Sequence, residues 1–352
     1  MPPAGIDRPE DVDCACPGGF EVYLLLFVLA LLGAAAAGIR YCIVFPRQPF
    51  MGPLPPLTDQ DRDLAQRLEA HVYAIASVPH NVAHLDELEK VARYIEGQIR
   101  AAGLTPVPQI YEVENGIQVR NIEVVQEPAD PHAATPCYVI GAHYDAPDDC
   151  PGANDNGTGV AALLELMRLV AASPPKRARL RLVFFVNEEQ PYGHTELMGS
   201  WQYANKLASA EENVAGMMAL ETLGFFSDEP GSQRFPSPFG HVYPDKGNFV
   251  AFVALPGTRT FLHKSIAAFR RHAAFPAIGG LAPGFVEGID LSDHWSFNQF
   301  GYPALMVTDT APFRNPHYHE PTDTPESVDY SSLARITLGL AAMTRELVDG
   351  KP

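Results

Sequence analysis

The sequence predicts an α/β protein: a largely parallel sheet covered by helices on both faces, preceded by one membrane-spanning helix. Three observations lead there. An uncharged apolar run lies near the N-terminus, helical periodicity begins at Leu57, and short β-branched or apolar runs then alternate with helical segments to the C-terminus. At 352 residues and 46% hydrophobic content, the chain suffices for one large α/β domain or two smaller ones.

The first element is "VYLLLFVLALLGAAAAGI", Val22 to Ile39, which carries no charge and is followed, after Arg40, by "YCIVF". About 18–20 apolar residues cross a bilayer, so residues 21–45 read as a transmembrane anchor behind a tail of residues 1–20. A cleaved signal peptide is the rival, because "AAAAG" offers small residues. Against it, the stretch before the apolar run is long and acidic, with Asp7, Glu10, Asp11 and Asp13 set against Arg8 alone. Arg40 and Arg47, on the C-terminal flank, place the following domain in the cytoplasm by the positive-inside tendency. "PRQPFMGPLPP", residues 46–56, has the composition of a stiff extended spacer.

From Leu57 onward, "LTDQDRDLAQRLEAHVYAIA" and "HLDELEKVARYIEGQIRAAG" read as amphipathic helices, the second stopped at Gly103. Strands follow in "NIEVV" at Asn121, "CYVIGAH" at Cys137, "LRLVFFVN" at Leu180, "AGMMALE" at Ala215, "NFVAFVAL" at Asn248 and "PALMVTD" at Pro303. Their alternation with helices argues for a doubly covered, largely parallel sheet. The long loop from Phe225 to Asn248 reads as a rim that shapes a pocket.

Charge and cysteine usage narrow the function classes. A formal net charge of -17 argues against a nucleic-acid partner, which would call for clustered Lys and Arg, and suits a cation site or plain solubility. Cys14, Cys16, Cys42, Cys137 and Cys150 form no dense framework, and no second Cys/His pair follows Cys14 and Cys16 at zinc-finger spacing. Cys150, near "GANDNG", reads as a small loop residue, since no base accompanies it.

In open α/β sheets ligands sit beyond the carboxyl ends of the strands. Four of the expected strand ends carry His, Asp or Glu: His143 and Asp145, Glu188 and Glu189, Glu221, and, after a loop, His319. A lone acid at a strand end is ordinarily a cap or a solvated loop residue; four on one edge are a site. His143 and Asp145, two apart on an extended segment, point to the same side, which suits a ligating imidazole held by a carboxylate. Asp155 lies among small residues just before the helix "GTGVAALLELMRLV"; it reads as a ligand, with a helix N-cap as the rival that Asn156 or Thr158 fills equally well. Adjacent Glu188 and Glu189 at the end of a buried strand repel unless a dication relieves them, and one then binds metal while the other serves as general base. Nitrogen and carboxylate donors without thiolate point to zinc, with manganese or cobalt next and an oxygen-only Mg²⁺ or Ca²⁺ site disfavoured.

"HYD", "GANDNGTGVAALLE", "FFVNEE", "MGSWQYA", "ALETLGFFSD", "SDHWSF" and "YHEPTDTPESVDY", in this order and spacing, resemble the di-zinc aminopeptidase family of clan MH metallopeptidases. That group includes secreted bacterial aminopeptidases, vacuolar aminopeptidase Y, glutamate carboxypeptidase and the glutaminyl cyclases. The resemblance covers residues 57–352, which would form one zinc metallopeptidase domain with a mixed, mostly parallel sheet of about eight strands. It implies two zinc ions, one held by His143, Asp155 and Glu221 and the other by Asp155, Glu189 and His319, with Asp155 bridging. Glu188 would be the general base and Asp145 the partner that orients His143. His317 is the competing ligand in "HYH", and His319 matches the motif better. The roles of Asp293 and His294 stay open, Tyr318 is either a carbonyl polariser or a packing residue, and "QPYGHTEL" after the Glu pair departs from the family's Gly-containing turn.

The resemblance implies a peptide substrate and hydrolysis by a metal-activated water, most consistent with an aminopeptidase. Glutaminyl cyclisation, carboxypeptidase or dipeptidase action, and a non-catalytic binding ectodomain are the alternatives on the same scaffold. The last tends to lose ligands or the base, and here all are present. The resemblance also favours an extracytoplasmic domain, which outweighs a charge bias of two residues.

Overall fold

The structure is a computed structural model that describes residues 19–132, 135–237 and 239–350. Cys14, Cys16 and the acidic tail of the sequence reading lie outside the described residues. The chain divides into two compact units, Met1–Val44 and Phe45–Pro352. The first contains helix α1, Gly19–Ile43, within which Val22–Ile43 has a mean hydropathy of 2.5 and is long and apolar enough to cross a membrane.

The second unit begins at Phe45, so the Pro-rich segment read as a spacer is counted with the domain. Arg270 donates through Nη1 to the carbonyls of Pro46 (3.0 Å) and Arg47 (2.6 Å), and Arg335 donates through Nη2 to that of Pro55. Helix α2, Asp59–Ile75, starts where Thr58 and Asp61 cap each other's backbone N–H, and its buried Leu64, Leu68, Val72 and Ile75 recur at helical spacing. Helix α3, Leu85–Ala101, ends before Gly103, whose φ of 76° suits glycine.

Strands β1 (Val107–Glu112), β2 (Gln118–Gln126), β3 (Cys137–His143), β4 (Arg179–Phe185), β5 (Val214–Leu220), β6 (Val250–Ala254), β7 (Ala277–Leu281) and β8 (Ala304–Thr308) form one sheet in the order β1-β2-β4-β3-β5-β8-β6-β7. Four of the seven ladders are parallel: β3–β4, β3–β5, β5–β8 and β6–β7. The sheet is therefore mixed. Helices α4 (Gly159–Ala171), α5 (Gly199–Ser209), α6 (Arg259–His272), α7 (His294–Gln299) and α8 (Tyr330–Asp349) complete the fold.

Strand alternation assigns the two faces. Val139, Val183, Phe185, Met217 and Ala219 pack with Tyr203, Ala204 and Leu207 of α5 and Phe297 of α7. Helix α4 packs on the sheet at β3, β4 and β5 and against α2 and α8, while α6 covers β6 and β7. The strand order has one consequence for function: β4, β3, β5 and β8 are consecutive neighbours at the centre of the sheet, so the four carboxyl ends that carry His, Asp and Glu lie side by side.

Two strands escape a reading of hydrophobic pattern. β1 is an exposed edge that contains Pro108, and β7, at the other edge, contains Gly279 and Gly280.

Candidate metal centre

Each candidate side chain is aimed by the end of its own element. β3 ends on His143, fully buried, and the chain runs into Tyr144 and Asp145. Beyond it, Gly152 (φ 70°) lies where an added Cβ would sit 2.4 Å from the Asp155 carbonyl oxygen, so the loop can fold back tightly only on glycine. Thr158 precedes α4 without a side-chain cap, and it is Asn156, not Asp155, whose Oδ1 accepts the N–H of Gly159 at 3.1 Å. Asp155 is thereby left for another task. After β4, Asn187 turns the chain with a φ of 60°, uncommon for a non-glycine residue, and Glu188 and Glu189 follow. Glu221 follows β5 directly, and His319, with a φ of 58°, follows β8 after a short loop.

The atoms converge. His143 Nε2 lies 2.9 Å from Glu221 Oε2, 3.3 Å from Asp155 Oδ1 and 3.9 Å from Glu188 Oε2. His319 Nε2 lies 3.0 Å from Asp155 Oδ2 and 3.5 Å from Glu189 Oε1. Among the described residues three groups have donor atoms within 4.8 Å of one another: His143–Glu188–Glu189, and the two triads His143–Asp155–Glu221 and Asp155–Glu189–His319. Asp155 belongs to both and turns one oxygen toward each histidine. His317 stays outside, with Nδ1 2.8 Å from Thr322 Oγ1.

His143 Nε2, Asp155 Oδ1 and Glu189 Oε1 are buried without a well-formed hydrogen bond. Leaving such atoms unpaired costs about 1–3 kcal/mol each, and a cation among them would satisfy all three. Nitrogen and oxygen donors in this ratio fit zinc.

Asp145 does two things. Its main-chain carbonyl accepts from His143 Nδ1 at 3.0 Å, while its carboxylate, 3.7 Å from that nitrogen, accepts the N–H groups of Glu188 and Glu189, both at 3.1 Å. The contact read from the sequence as carboxylate to imidazole is thus chiefly carbonyl to imidazole, and the carboxylate orders the Glu turn. Three residues that the sequence reading did not single out hold the rest. Asp323 accepts the N–H groups of Asn154 and Asp155 at 2.9 and 3.0 Å. Asp309 accepts those of Gly224 and Phe225 at 3.0 and 2.8 Å, and Ser292 Oγ donates to Glu221 Oε2 at 2.9 Å. These are short polar residues in loops, and only their three-dimensional neighbours distinguish them.

The electrostatics are those of a site short of positive charge. Burial, followed by the charges of Asp155 and Glu189, offset in part by His143, pushes Glu221 up to about 8. Burial and the Asp155 charge push Glu189 up to about 7, and burial with the Glu221, Glu189 and Asp293 charges holds Glu188 well above the usual carboxylate range. Asp155 goes the other way: burial opposes its ionisation, but hydrogen bonds from His143 and His319 outweigh it. His319 rises to about 10 despite its burial, because Asp155 and Glu189 face it. Asp293 is buried and pushed up to about 7. The neighbouring His294 sends Nε2 to the Ile289 carbonyl, 2.8 Å away.

An apolar cavity of about 850 Å³, counted with its open mouth, adjoins the centre at Glu221 and Tyr318. Ala251, Val253, Ile278, Leu281 and Met306 line it from the sheet, and Phe235, Pro236, Phe239 and Tyr243 line it from the loop expected to form a rim.

Residues 121–344 match the model of peptidase family M28. The chain belongs to peptidase family M28. This M28 peptidase is 35% identical over 274 residues to the uncharacterized protein YfbL of Escherichia coli (strain K12), a match that covers 75% of the chain and 82% of YfbL. It is 26% identical over 225 residues to a probable leucine aminopeptidase of Arthroderma benhamiae and covers 59% of its own length but 54% of that protein. The M28 fold is shared with the aminopeptidase of Aneurinibacillus sp. strain AM-1 (TM-score 0.61, 17% identity, covering 83% of this chain and 96% of that one). It is equally shared with the glutaminyl cyclase of Bacteroides thetaiotaomicron (TM-score 0.59, 17% identity, 85% and 100%). The chain is accordingly a metallopeptidase-type hydrolase, as the motifs implied.

Proposed function

We propose that this protein is a zinc-dependent aminopeptidase that removes N-terminal residues with bulky apolar side chains from peptides. The observation that carries the proposal is the pair of triads sharing Asp155, which suits two zinc ions, one with His143, Asp155 and Glu221 and one with Asp155, Glu189 and His319. Bound zinc supplies Lewis acidity, polarising the scissile carbonyl and lowering the pKa of water. Glu188 takes the proton of the attacking water and returns it to the leaving amine. Its main chain is set by the Asp145 carboxylate, so the base approaches from a fixed direction. Tyr318 stacks on His319 with ring centroids 3.9 Å apart, and burial together with the surrounding carboxylates holds its phenol protonated, ready to donate to the carbonyl oxygen. The neighbouring carboxylates favour a substrate that presents an ammonium group, and the apolar cavity beside Glu221 takes its side chain.

Helix α1 anchors the chain, with the peptidase domain on the extracytoplasmic side. Supporting this is the relative named as a probable lipoprotein aminopeptidase, LpqL of Mycobacterium tuberculosis (30% identical over 218 residues), although Arg40 and Arg47 argue the other way.

The deciding experiment uses the full-length chain purified in detergent. Metal content is measured, together with hydrolysis of aminoacyl-anilides and N-terminal glutaminyl peptides, with and without chelator. Two zinc ions and chelator-sensitive release of N-terminal leucine or phenylalanine are expected. One zinc with pyroglutamate formation, or release only from the C-terminus, would overturn the proposal.

A further inference from the structure

Between Phe225 and Asn248 the chain roofs the apolar cavity, yet among its described residues the only regular structure is one short turn, Phe239–His241. The loop joins its own ends through Ser227 N–H to the Gly247 carbonyl (2.9 Å), Gly247 N–H to Ser232 Oγ (2.9 Å) and Asn248 Nδ2 to Asp228 Oδ1 (2.6 Å), and its main chain reaches the segment that carries His319 through Arg234 N–H to the Phe313 carbonyl (2.9 Å). The structure adds an arginine. Arg314, 8% exposed, lies just after Ala311, Pro312 and Phe313, which line the same cavity, and five residues before His319. Its Nη1 donates to the carbonyls of Phe249 (2.9 Å), Gly247 (3.1 Å) and Phe225 (3.4 Å), and its Nε to Gln233 Oε1 (2.7 Å).

Phe225 opens the loop, Gly247 and Phe249 close it, and Gln233 stands at its middle. One planar guanidinium therefore gathers both ends and the centre. Its faces are covered by Phe249 and Phe226, with Arg314 Cζ 4.5 and 5.6 Å from the ring centroids. Gly247 approaches so closely that an added Cβ would sit 3.1 Å from Arg314 Nε. Gln233 extends the tie: its Nε2 donates to Thr310 Oγ1 at 3.0 Å, and its N–H to the Asp245 carbonyl at 2.9 Å. These four hydrogen-bond acceptors are neutral oxygens reached by Nη1 and Nε, while Nη2 is buried without a hydrogen bond. A lysine, with a compact ammonium and no planar fork, reproduces at most part of this arrangement.

We propose that Arg314 is the specificity-positioning residue of the peptidase: it staples the roof of the apolar cavity to the segment that carries His319, and so sets the preference for bulky N-terminal side chains. The inference rests on the aminopeptidase reading given above. Arg314 makes no contact with the metal-centre side chains, so its loss loosens the pocket without removing a ligand or the base.

The test compares wild type with Arg314→Lys and the milder Gln233→Leu, all full-length and zinc-loaded, on leucyl-, phenylalanyl- and alanyl-anilides. For Arg314→Lys, kcat/KM on leucine and phenylalanine should fall about tenfold to a hundredfold, mainly through KM, while alanine changes less than about threefold. Gln233→Leu should shift the same ratio in the same direction by less, with zinc content unchanged in both. Equal losses on all three substrates would reduce Arg314 to a structural role, and an unchanged ratio would remove it from specificity; either result overturns the inference. Hydrogen exchange provides a readout independent of turnover. Arg314→Lys should speed exchange in the 225–248 loop and leave the 143–159 loop as it is, and uniform or absent change would refute the staple even if the wild-type enzyme proved inactive on every anilide.

Discussion

Replacing Asp145 by asparagine separates two tasks that one residue performs. The main-chain carbonyl that receives His143 Nδ1 survives the substitution, whereas the carboxylate that receives the Glu188 and Glu189 N–H groups does not. The amide keeps one acceptor oxygen and turns an NH₂ group toward the second N–H. One charge-assisted hydrogen bond is then lost and the other becomes neutral, at about 1.5–3 kcal/mol for the first and about 1 kcal/mol for the change in the second, together about 2.5–4 kcal/mol. For a domain of this size the melting temperature should fall by about 4–8 °C. Because the disturbance is centred on the Glu turn, kcat/KM should drop about tenfold to a hundredfold, chiefly through kcat, while zinc at the His143 side is retained. The assay is calorimetric unfolding of the zinc-loaded chain beside metal analysis and steady-state kinetics. A melting temperature within about 1 °C of wild type together with normal kcat would refute the reasoning. Loss of the His143-side zinc with Glu189-side binding intact would equally refute it, since that is the pattern expected if the carboxylate mainly held His143.

Glu188→Gln should lower kcat by about 10²–10⁴-fold with two zinc ions still bound, as read by metal analysis; retention of activity would remove Glu188 as the base. Met306→Trp, which fills the cavity from β8, should turn the preference from leucine toward alanine without altering zinc content, and an unchanged leucine-to-alanine ratio would place the substrate side chain elsewhere. Glu165 is buried; its burial is outweighed by hydrogen bonds from His71 and Arg168 and by the charges of Arg168 and Arg67, which hold its carboxyl at about 2 against an ordinary 4.5. A depressed folded-state pKa stabilises above the unfolded value and is lost as pH falls from about 4.5 toward 2, so Glu165→Gln should destabilise by about 3 kcal/mol at pH 7 and by less than half of that at pH 3. Denaturant titrations at the two pH values check this, and a difference independent of pH would assign the loss to packing.

The candidate centre was legible in the sequence because its donors sit at the ends of apolar runs whose strand character is strong: "CYVIGAH" before His143, "LRLVFFVN" before Glu188, "AGMMAL" before Glu221. The α/β class and α2 to α4 follow equally from periodicity and capping residues. What hydrophobic pattern does not encode is the sheet's order. The placement of β4, β3, β5 and β8 as neighbours brings residues as distant as His143 and His319 to one point, and it is set by long-range packing rather than by any local preference. The weakly patterned edges β1 and β7 were invisible for the same reason, since Pro108 and the Gly279–Gly280 pair carry no strand signal of their own.

The sequence by itself determined the chemistry: which side chains are present, that they are nitrogen and carboxylate donors, and that they follow strands. Only the tertiary structure decided their partners. It gave the first N–H of α4 to Asn156 and left Asp155 between two histidines. It assigned the Asp145 carboxylate to the Glu turn, and it drew Arg314, unremarkable in a one-dimensional reading, to both ends of the loop over the cavity. The physical reason is one of range: helix, strand and turn preferences act over a few residues, whereas a buried hydrogen bond is worth forming wherever the chain brings its partners together.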